Sequence, residues 1–558
     1  MVGFRASKRR SPASPSWVAK TSIASCKLAQ TGDAAWTRRR KLRLADYFDA
    51  AAANFPRHEA FVDGRTRLVY KEAQAMVHAT AHALTREPGL RDGAHIAIYA
   101  PNDYRISLLQ TAVNRADMVW VALHTRNSPA TNLAMLGYAD CDLIFFHSSF
   151  EHLVPSWKAD LSQVQRFICI DRPSEHGEFL DTWIAAHREP YVAMPEDPQR
   201  ATVLQPTGGT TGPSKGALHS HRSLEMTLIS IFDMLKIDSG SRILAVAPLT
   251  HAAAMITLAG AARGACTVVL PGFDAQAVLA TIERERITHL FMPPTVVYAL
   301  LATPQVAMTD LSPLRCLAVG AAPIAPEKLK EAVRVFGPVI YEVYGQSECL
   351  FPVVAKQPED YIRADGSFDE EALRSAGRAV PYARVEIMDD DGKLLAPGEK
   401  GEIVVRSSMV MKGYYKKPEE TAEVSGFGWH HTTDVGIKDA RGLITIVDRK
   451  KDMIVSGGFN VFPSEIEAVI NTHPAVLDCA VVGVPDEKWG EAVKAVIQLK
   501  PGHQASGDEL ISLCKRELGS VKTPKSIEFW DELPRSAVGK VLKRDIREKY
   551  WQGQWRSV

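Results

Sequence analysis

The chain has 558 residues, of which 46% are hydrophobic and 23% charged, with 8 cysteines and a formal net charge of +1. That length exceeds one hydrophobic core and predicts two or more domains of ordinary globular composition. No nucleic-acid partner is expected, and the scattered cysteines form no CxxC pair for zinc. The most apolar run, Leu244–Leu270, is broken by Pro248, His251 and Arg263 and so fails as a membrane span.

Neutrality conceals an asymmetry. Residues 1–43 hold eleven Lys and Arg against one Asp, leaving 55 basic and 64 acidic residues in the remainder. The segment 1–41 is Ser- and Thr-rich without an apolar stretch of secretory type, and it is expected to be a disordered basic tail. A mitochondrial-type transit segment, a basic arm and translated sequence upstream of a later start all fit it. The expected location is cytoplasmic, or mitochondrial if the tail is a transit segment.

From Leu42 onward apolar spacing predicts helices and strands in alternation. Leu42, Tyr47, Phe48, Ala51, Ala52 and Phe55 recur at helical spacing, and Arg67–Tyr70 reads as a strand entering a helix over Lys71–Leu84. His95–Ala100 is predicted as a strand, Ile106–Ala116 as a helix and Met118–Leu123 as the next strand. Short apolar strands follow at Cys141–Phe146, Phe167–Ile170, Ala201–Gln205, Arg242–Pro248, Thr267–Leu270, His289–Met292 and Leu317–Val319. Such alternation over about 400 residues predicts an α/β architecture with largely parallel sheet. Past the hairpin-type turn Asp389–Gly392, the strands Gly401–Arg406 and Leu443–Val447 predict a small all-β region. The charged run Asp448–Asp452 precedes helix Ser464–Asn471, strands Val476–Val484 and Ala492–Leu499, helix Gly507–Leu518 and strand Ile527–Phe529. Those last elements, about 110 residues, make a domain of ordinary size.

Two stretches carry chemistry on their own residues. Thr207–Ala217 reads TGGTTGPSKGA: Gly208, Gly209 and Gly212 allow close backbone approach, Thr207, Thr210 and Thr211 offer hydroxyls, and Lys215 adds a cation. Together these form a grip for a polyphosphate. Ala201–Gln205 before it reads as a strand and Leu218–Met226 after it as the opening of a helix, the setting of a nucleotide-binding loop. Ser214 immediately before Lys215 excludes the Walker loop, and no GxGxxG follows a strand. Further on, Tyr341–Glu348 (YEVYGQSE) supplies an aromatic face, a glycine, a hydroxyl and a carboxylate, suited to a base, a phosphate and Mg²⁺.

Both stretches resemble signature elements of the adenylate-forming superfamily of acyl-CoA synthetases, luciferases and peptide-synthetase adenylation domains. The first is similar to T-S/G-G-T/S-T-G-x-P-K-G, with Ser214 for Pro, and the second to Y-G-x-T/S-E. Three more matches follow in order: Trp429–Gly436 (WHHTTDVG), with Thr433 where the family has Gly; Asp448–Glu467 (DRKKDMIVSGGFNVFPSEIE); and Leu533–Lys543 (LPRSAVGKVLK), with Val538 for a hydroxyl residue. The resemblance covers about residues 42–545.

The resemblance implies roles, residue by residue. Thr207, Gly208, Gly209, Thr210, Thr211, Gly212 and Lys215 hold phosphates; Tyr344 stacks on adenine, beside Gly345; Glu342 lies near the adenine amino group; Ser347 contacts the α-phosphate and Glu348 holds Mg²⁺. Asp434 and Arg449 contact the ribose, Lys451 is the hinge, and Gly457, Gly458 and Phe459 line the passage for the pantetheine of CoA. Lys540 reaches the substrate carboxylate and α-phosphate. His251 gates the acyl pocket, with Gly320, Ala321 and Ala322, and the alanines after His251, leaving room for an apolar or aromatic acyl group. Catalysis is assigned to Lys540, Glu348 and Lys215.

It further implies a large domain over 42–447, a mobile α+β domain over 448–558 and a hinge at 448–451. The implied reaction joins a carboxylic acid, fatty or aryl, to CoA through an acyl-adenylate, with ATP, Mg²⁺ and CoA as co-reactants. Loading of a carrier protein, a luciferase-like oxidase and a non-catalytic nucleotide binder are the alternatives. A homodimer is left open.

Overall fold

The computed structural model describes residues 44–191, 197–207, 215–250, 252–456, 459–486, 489–536 and 541–552. The basic tail, Gly208–Gly212, His251, Gly457, Gly458 and Lys540 lie outside the described residues.

Among the described residues, two large sheets and one small one organise the chain. The first has thirteen strands. Its parallel run is, in spatial order, Glu59–Asp63, Cys266–Val269, Arg242–Ala245, His289–Met292, Cys316–Val319 and Ile340–Tyr344. The second, of eight strands, runs parallel through Val119–Ala122, His95–Tyr99, Leu143–Phe146, Arg166–Cys169 and Glu178–Phe179. Strands such as VWVA and LIFF are apolar at every position because both faces of a parallel sheet are covered. The main core lies between the sheets: Ile96 and Trp120 from one share a cluster with Ile243 and Ala318 from the other, filled by Leu84, Ile106, Leu228 and Leu258 of the intervening helices.

One sequence expectation is corrected here. Leu218–Met226 does not open as a helix: Gly216–Ser220 is a strand, antiparallel to Ala201–Pro206, and the helix begins at His221. The stretch GALHS has a hydrogen-bonding edge that the preceding strand takes up, and Ser220 Oγ then caps the helix by accepting the Ser223 N–H at 3.1 Å. The phosphate-grip stretch therefore closes a β-hairpin rather than joining a strand to a helix. The expected small β-rich region lies around Asp389 and is continuous with the first sheet. Its strands Ala383–Met388, Lys400–Ser407, His430–Lys438 and Leu443–Arg449 extend the first sheet, which they join where Leu443–Arg449 pairs with Gly377–Ala379.

The smaller C-terminal domain is built on the third sheet, where Val476–Asp486 and Gly490–Leu499 form a long antiparallel pair and Ser526–Phe529 adds a parallel edge. Helices Pro463–Ile470 and Gly507–Leu518 pack on it through Ile466, Ile470, Leu510 and Cys514. The Pro463–Ile470 helix borrows its cap from the first sheet. Asp448 Oδ2 accepts the Ser464 N–H at 2.8 Å, and the Ser464 hydroxyl donates to the Val447 carbonyl.

Candidate active site

The two ends of the phosphate-grip stretch are tied together. The Thr207 N–H donates to the Lys215 carbonyl at 2.7 Å and the Lys215 N–H to Thr207 Oγ1 at 3.3 Å, closing the neck of the hairpin. Below the neck, Ser347 Oγ donates to the Pro206 carbonyl at 3.1 Å, and His219 Nε2 donates to the Ser347 carbonyl at 2.7 Å. Burial lowers His219 to about 4, so this ring is neutral with its proton on Nε2. These bonds pin Gln346–Glu348 against the hairpin. Glu348 and Lys215 both meet Tyr414, whose hydroxyl donates to Glu348 Oε1 at 2.7 Å and whose ring lies 4.8 Å from Lys215 Nζ.

The second cluster centres on Asp434, which is 5% exposed. Its Oδ2 accepts the Tyr344 hydroxyl at 2.6 Å and Gln346 Nε2 at 2.7 Å, while Arg449 Nε stands 3.6 Å from Oδ1. Antiparallel pairing of His430–Lys438 with Leu443–Arg449 sets Asp434 opposite Arg449, so sheet register brings these residues together. Burial and the Asp434 carboxylate push the Tyr344 hydroxyl well above its usual range, keeping it a donor. Thr433, just before Asp434, has φ 61, a left-handed conformation that explains why glycine suits this position. Its N–H donates to Glu402 Oε1 at 2.9 Å.

Glu342 shares the Ile340–Tyr344 strand with Tyr344, two residues apart and so on one face. Its Oε2 pairs with Lys356 Nζ at 2.6 Å, and Oε1 is buried without a hydrogen-bond partner among the described residues. Lys356 is fully buried and also donates to the carbonyls of Ala372, Leu373 and Ser375 at 3.2, 3.0 and 2.7 Å. Burial raises the Glu342 carboxyl against the opposing pull of Lys356. Gly345 is required by packing: a Cβ there would sit 2.6 Å from Phe351 Cα and 2.7 Å from its nitrogen.

The residues expected at the acyl pocket divide. A Cβ at Gly320 would lie 2.9 Å from the Val343 carbonyl oxygen and 3.2 Å from Phe291, so its small size serves a close approach of strands. Ala321, at φ 68, and Ala322 are exposed. Of the alanines after His251, Ala252 is half-buried and Ala253 and Ala254 lie in the main core. Of the remaining expectations, Lys451 follows Arg449 in a short helical turn, and its carbonyl accepts Arg547 Nη1 at 3.3 Å. Phe459 is 58% exposed.

Four participants are missing from the sequence reading: Gln346, Tyr414, His219 and Lys356. Gln346 stands within Tyr341–Glu348, and its amide is the available signal. The others act through contacts 66, 128 and 14 positions away, and no local pattern marks them.

Among the described residues no group of three or more His, Cys, Asp or Glu could hold a metal ion. A single carboxylate, Glu348, with one oxygen engaged by Tyr414, fits a cation held jointly by one protein carboxylate, water and substrate phosphates.

Residues 48–415 match the family of AMP-binding enzymes and residues 465–540 its C-terminal domain. The chain belongs to the AMP-binding enzyme family, as the five motifs imply. It is 41% identical over 378 residues to medium/long-chain-fatty-acid–CoA ligase FadD8 of Mycobacterium tuberculosis, a match spanning 66% of this chain and 65%, just under two thirds, of that protein. It is 35% identical over 499 residues to a feruloyl-CoA synthase of Amycolatopsis sp, covering 89% of this chain and 96% of the relative. Among solved structures, the amide bond synthetase McbA of Marinactinospora thermotolerans superimposes with a TM-score of 0.82 at 30% identity, over 91% of this chain and all of that one.

Proposed function

We propose that the protein is an ATP-dependent acid–CoA ligase acting on fatty or aryl carboxylic acids. The observation that carries this reading is the convergence of Lys215, Ser347 and Glu348 on one side and Tyr344, Gln346, Asp434 and Arg449 on the other, in a chain whose relatives include fatty-acid and feruloyl ligases.

The substrate carboxylate attacks the α-phosphorus of ATP, the bond to pyrophosphate breaks, and an acyl-adenylate results. The thiol of CoA then adds to the acyl carbonyl, gives up its proton and expels AMP. Neither step needs a covalent enzyme intermediate, so placement and charge neutralisation carry the catalysis. In this reading the hairpin loop from Thr207 to Lys215 holds the phosphates, Ser347 contacts the α-phosphate, and Asp434 with Arg449 binds the ribose. The aromatic face of Tyr344 lies against adenine, whose amino group finds an acceptor in Glu342 Oε1, which has no partner among the described residues. Glu348 would hold Mg²⁺, which neutralises charge on the phosphates when bound. Lys540 approaches the reacting carboxylate, and Gly457, Gly458 and Phe459 admit pantetheine. The domains divide at residues 448–451, with Lys451 as pivot.

A pyrophosphate-release screen over fatty, aryl and short-chain acids tests this, run with CoA, with a carrier protein and with a simple amine as acceptor. Release dependent on a fatty or aryl acid, and thioester formation with CoA, are expected. Release without thioester, or amide in place of thioester, would refute the assignment of CoA as acceptor.

A further inference from the structure

Tyr414 touches both Lys215 and Glu348, through its ring face and its hydroxyl respectively. Backbone bonds fix its place. Tyr414 pairs with Ala217, the Lys412 and Tyr415 N–H groups donate to the Leu218 and Gly216 carbonyls at 2.7 and 2.8 Å, and the Met411 N–H donates to the Glu348 carbonyl at 2.8 Å. One segment, residues 411–415, is thereby stitched to the strand that begins beside Lys215 and to Glu348 itself.

Lys215 lies over the face of this ring and Glu348 at its hydroxyl, opposite charges that no ion pair joins among the described residues. A direct contact would engage the ammonium and the carboxylate with each other, and both would be less available to a phosphate chain and its cation. The ring face attracts an ammonium weakly, and the phenol takes only one of the two carboxylate oxygens. Resting on the ATP-dependent reading above, we propose that Tyr414 is a positioning residue that acts as a spacer, preventing Lys215 and Glu348 from neutralising one another. Lys215 then remains available to the triphosphate end of ATP, and Glu348 to the cation that accompanies it.

The test is calorimetric titration of ATP in the presence of EDTA, which reads Lys215 without metal or turnover. Tyr414→Phe keeps the ring and is expected to bind within about twofold of the native protein, whereas Tyr414→Leu lets the pair form and weakens binding about three- to fivefold. Adding Glu348→Gln to Tyr414→Leu frees Lys215 again, so its gain in affinity exceeds the effect of Glu348→Gln in the native background. An additive cycle overturns the spacer. A loss of about fivefold in Tyr414→Phe overturns it as well, and that arm stands even if Tyr414→Leu fails to fold. If the native protein binds ATP and releases pyrophosphate while the cycle is additive, the spacer alone is wrong. If the native protein binds no ATP, the ligase reading falls with it.

Discussion

Lys356→Met should be severely destabilising, and the reason lies in one buried pair. The substitution keeps length and volume, so the cavity contribution is small. It removes an ammonium 2.6 Å from Glu342 Oε2 and strands a carboxylate whose other oxygen has no partner among the described residues. It also takes the donor from the carbonyls of Ala372, Leu373 and Ser375. Breaking a buried pair from one side costs about 3–5 kcal/mol, because the surviving charge stays desolvated. At roughly 2 °C per kcal/mol for a large domain, the melting midpoint falls by about 6–10 °C. Adding Glu342→Gln removes the stranded charge, and the double variant should recover a large part of the loss. Differential scanning calorimetry of the native protein, the single variant and the double variant decides it. A single variant melting within a degree of the native protein, or a double variant no more stable than the single, would show that the pair is not the charged anchor described.

The other predictions concern acidity and backbone. His219, His289 and His430 are each lowered by burial from 6.5 to about 4, so the unfolded chain binds protons the folded one refuses, and stability falls as pH drops through that interval. Each should remove about 2 kcal/mol between pH 8 and pH 5; urea midpoints at the two pH values measure it, with His289→Gln flattening the slope, and a midpoint that rises on acidification contradicts the sign. Gly345→Ala forces the Tyr344–Phe351 loop apart at about 1–3 kcal/mol, and ATP affinity should fall with it; native-like affinity in calorimetric titration would remove Gly345 from the site. Thr433→Gly relieves a left-handed β-branched residue and should raise the melting midpoint by about 0.5–1 kcal/mol equivalent after the entropy of glycine is subtracted; an unchanged or lower midpoint would mean that the Thr433 side chain contributes more than its strain.

What was legible in the sequence was whatever consecutive residues carry together. Tyr344, Gly345, Ser347 and Glu348 occupy one strand end, and their order survives into the fold. The parallel strands were legible for a related reason, since burial on both faces leaves an uninterrupted apolar run such as Leu143–Phe146. Partnership across the sheets was not. Whether Gly216–Ser220 becomes a strand depends on the edge offered by Ala201–Pro206, and short stretches of this kind suit either state. Gly320, Ala253 and Ala254 show the limit for small side chains: small size is visible in the sequence, whereas what fills the vacated volume is a neighbouring strand or helix that only the fold supplies.

The cap that Asp448 gives to the Pro463–Ile470 helix spans the proposed pivot, because Asp448 precedes Lys451 and Ser464 follows it. Any swing about Lys451 that carries the helix away uncaps it, and a lost helix cap costs about 1 kcal/mol. A barrier element of that size sets a bias rather than a lock: it makes one orientation several times more populated, and thermal motion releases it readily. At that proposed joint Asp448 would act as a detent, a shallow notch, and Asp448→Ala, which removes the oxygen that accepts the Ser464 N–H, would shift the resting angle of the small domain.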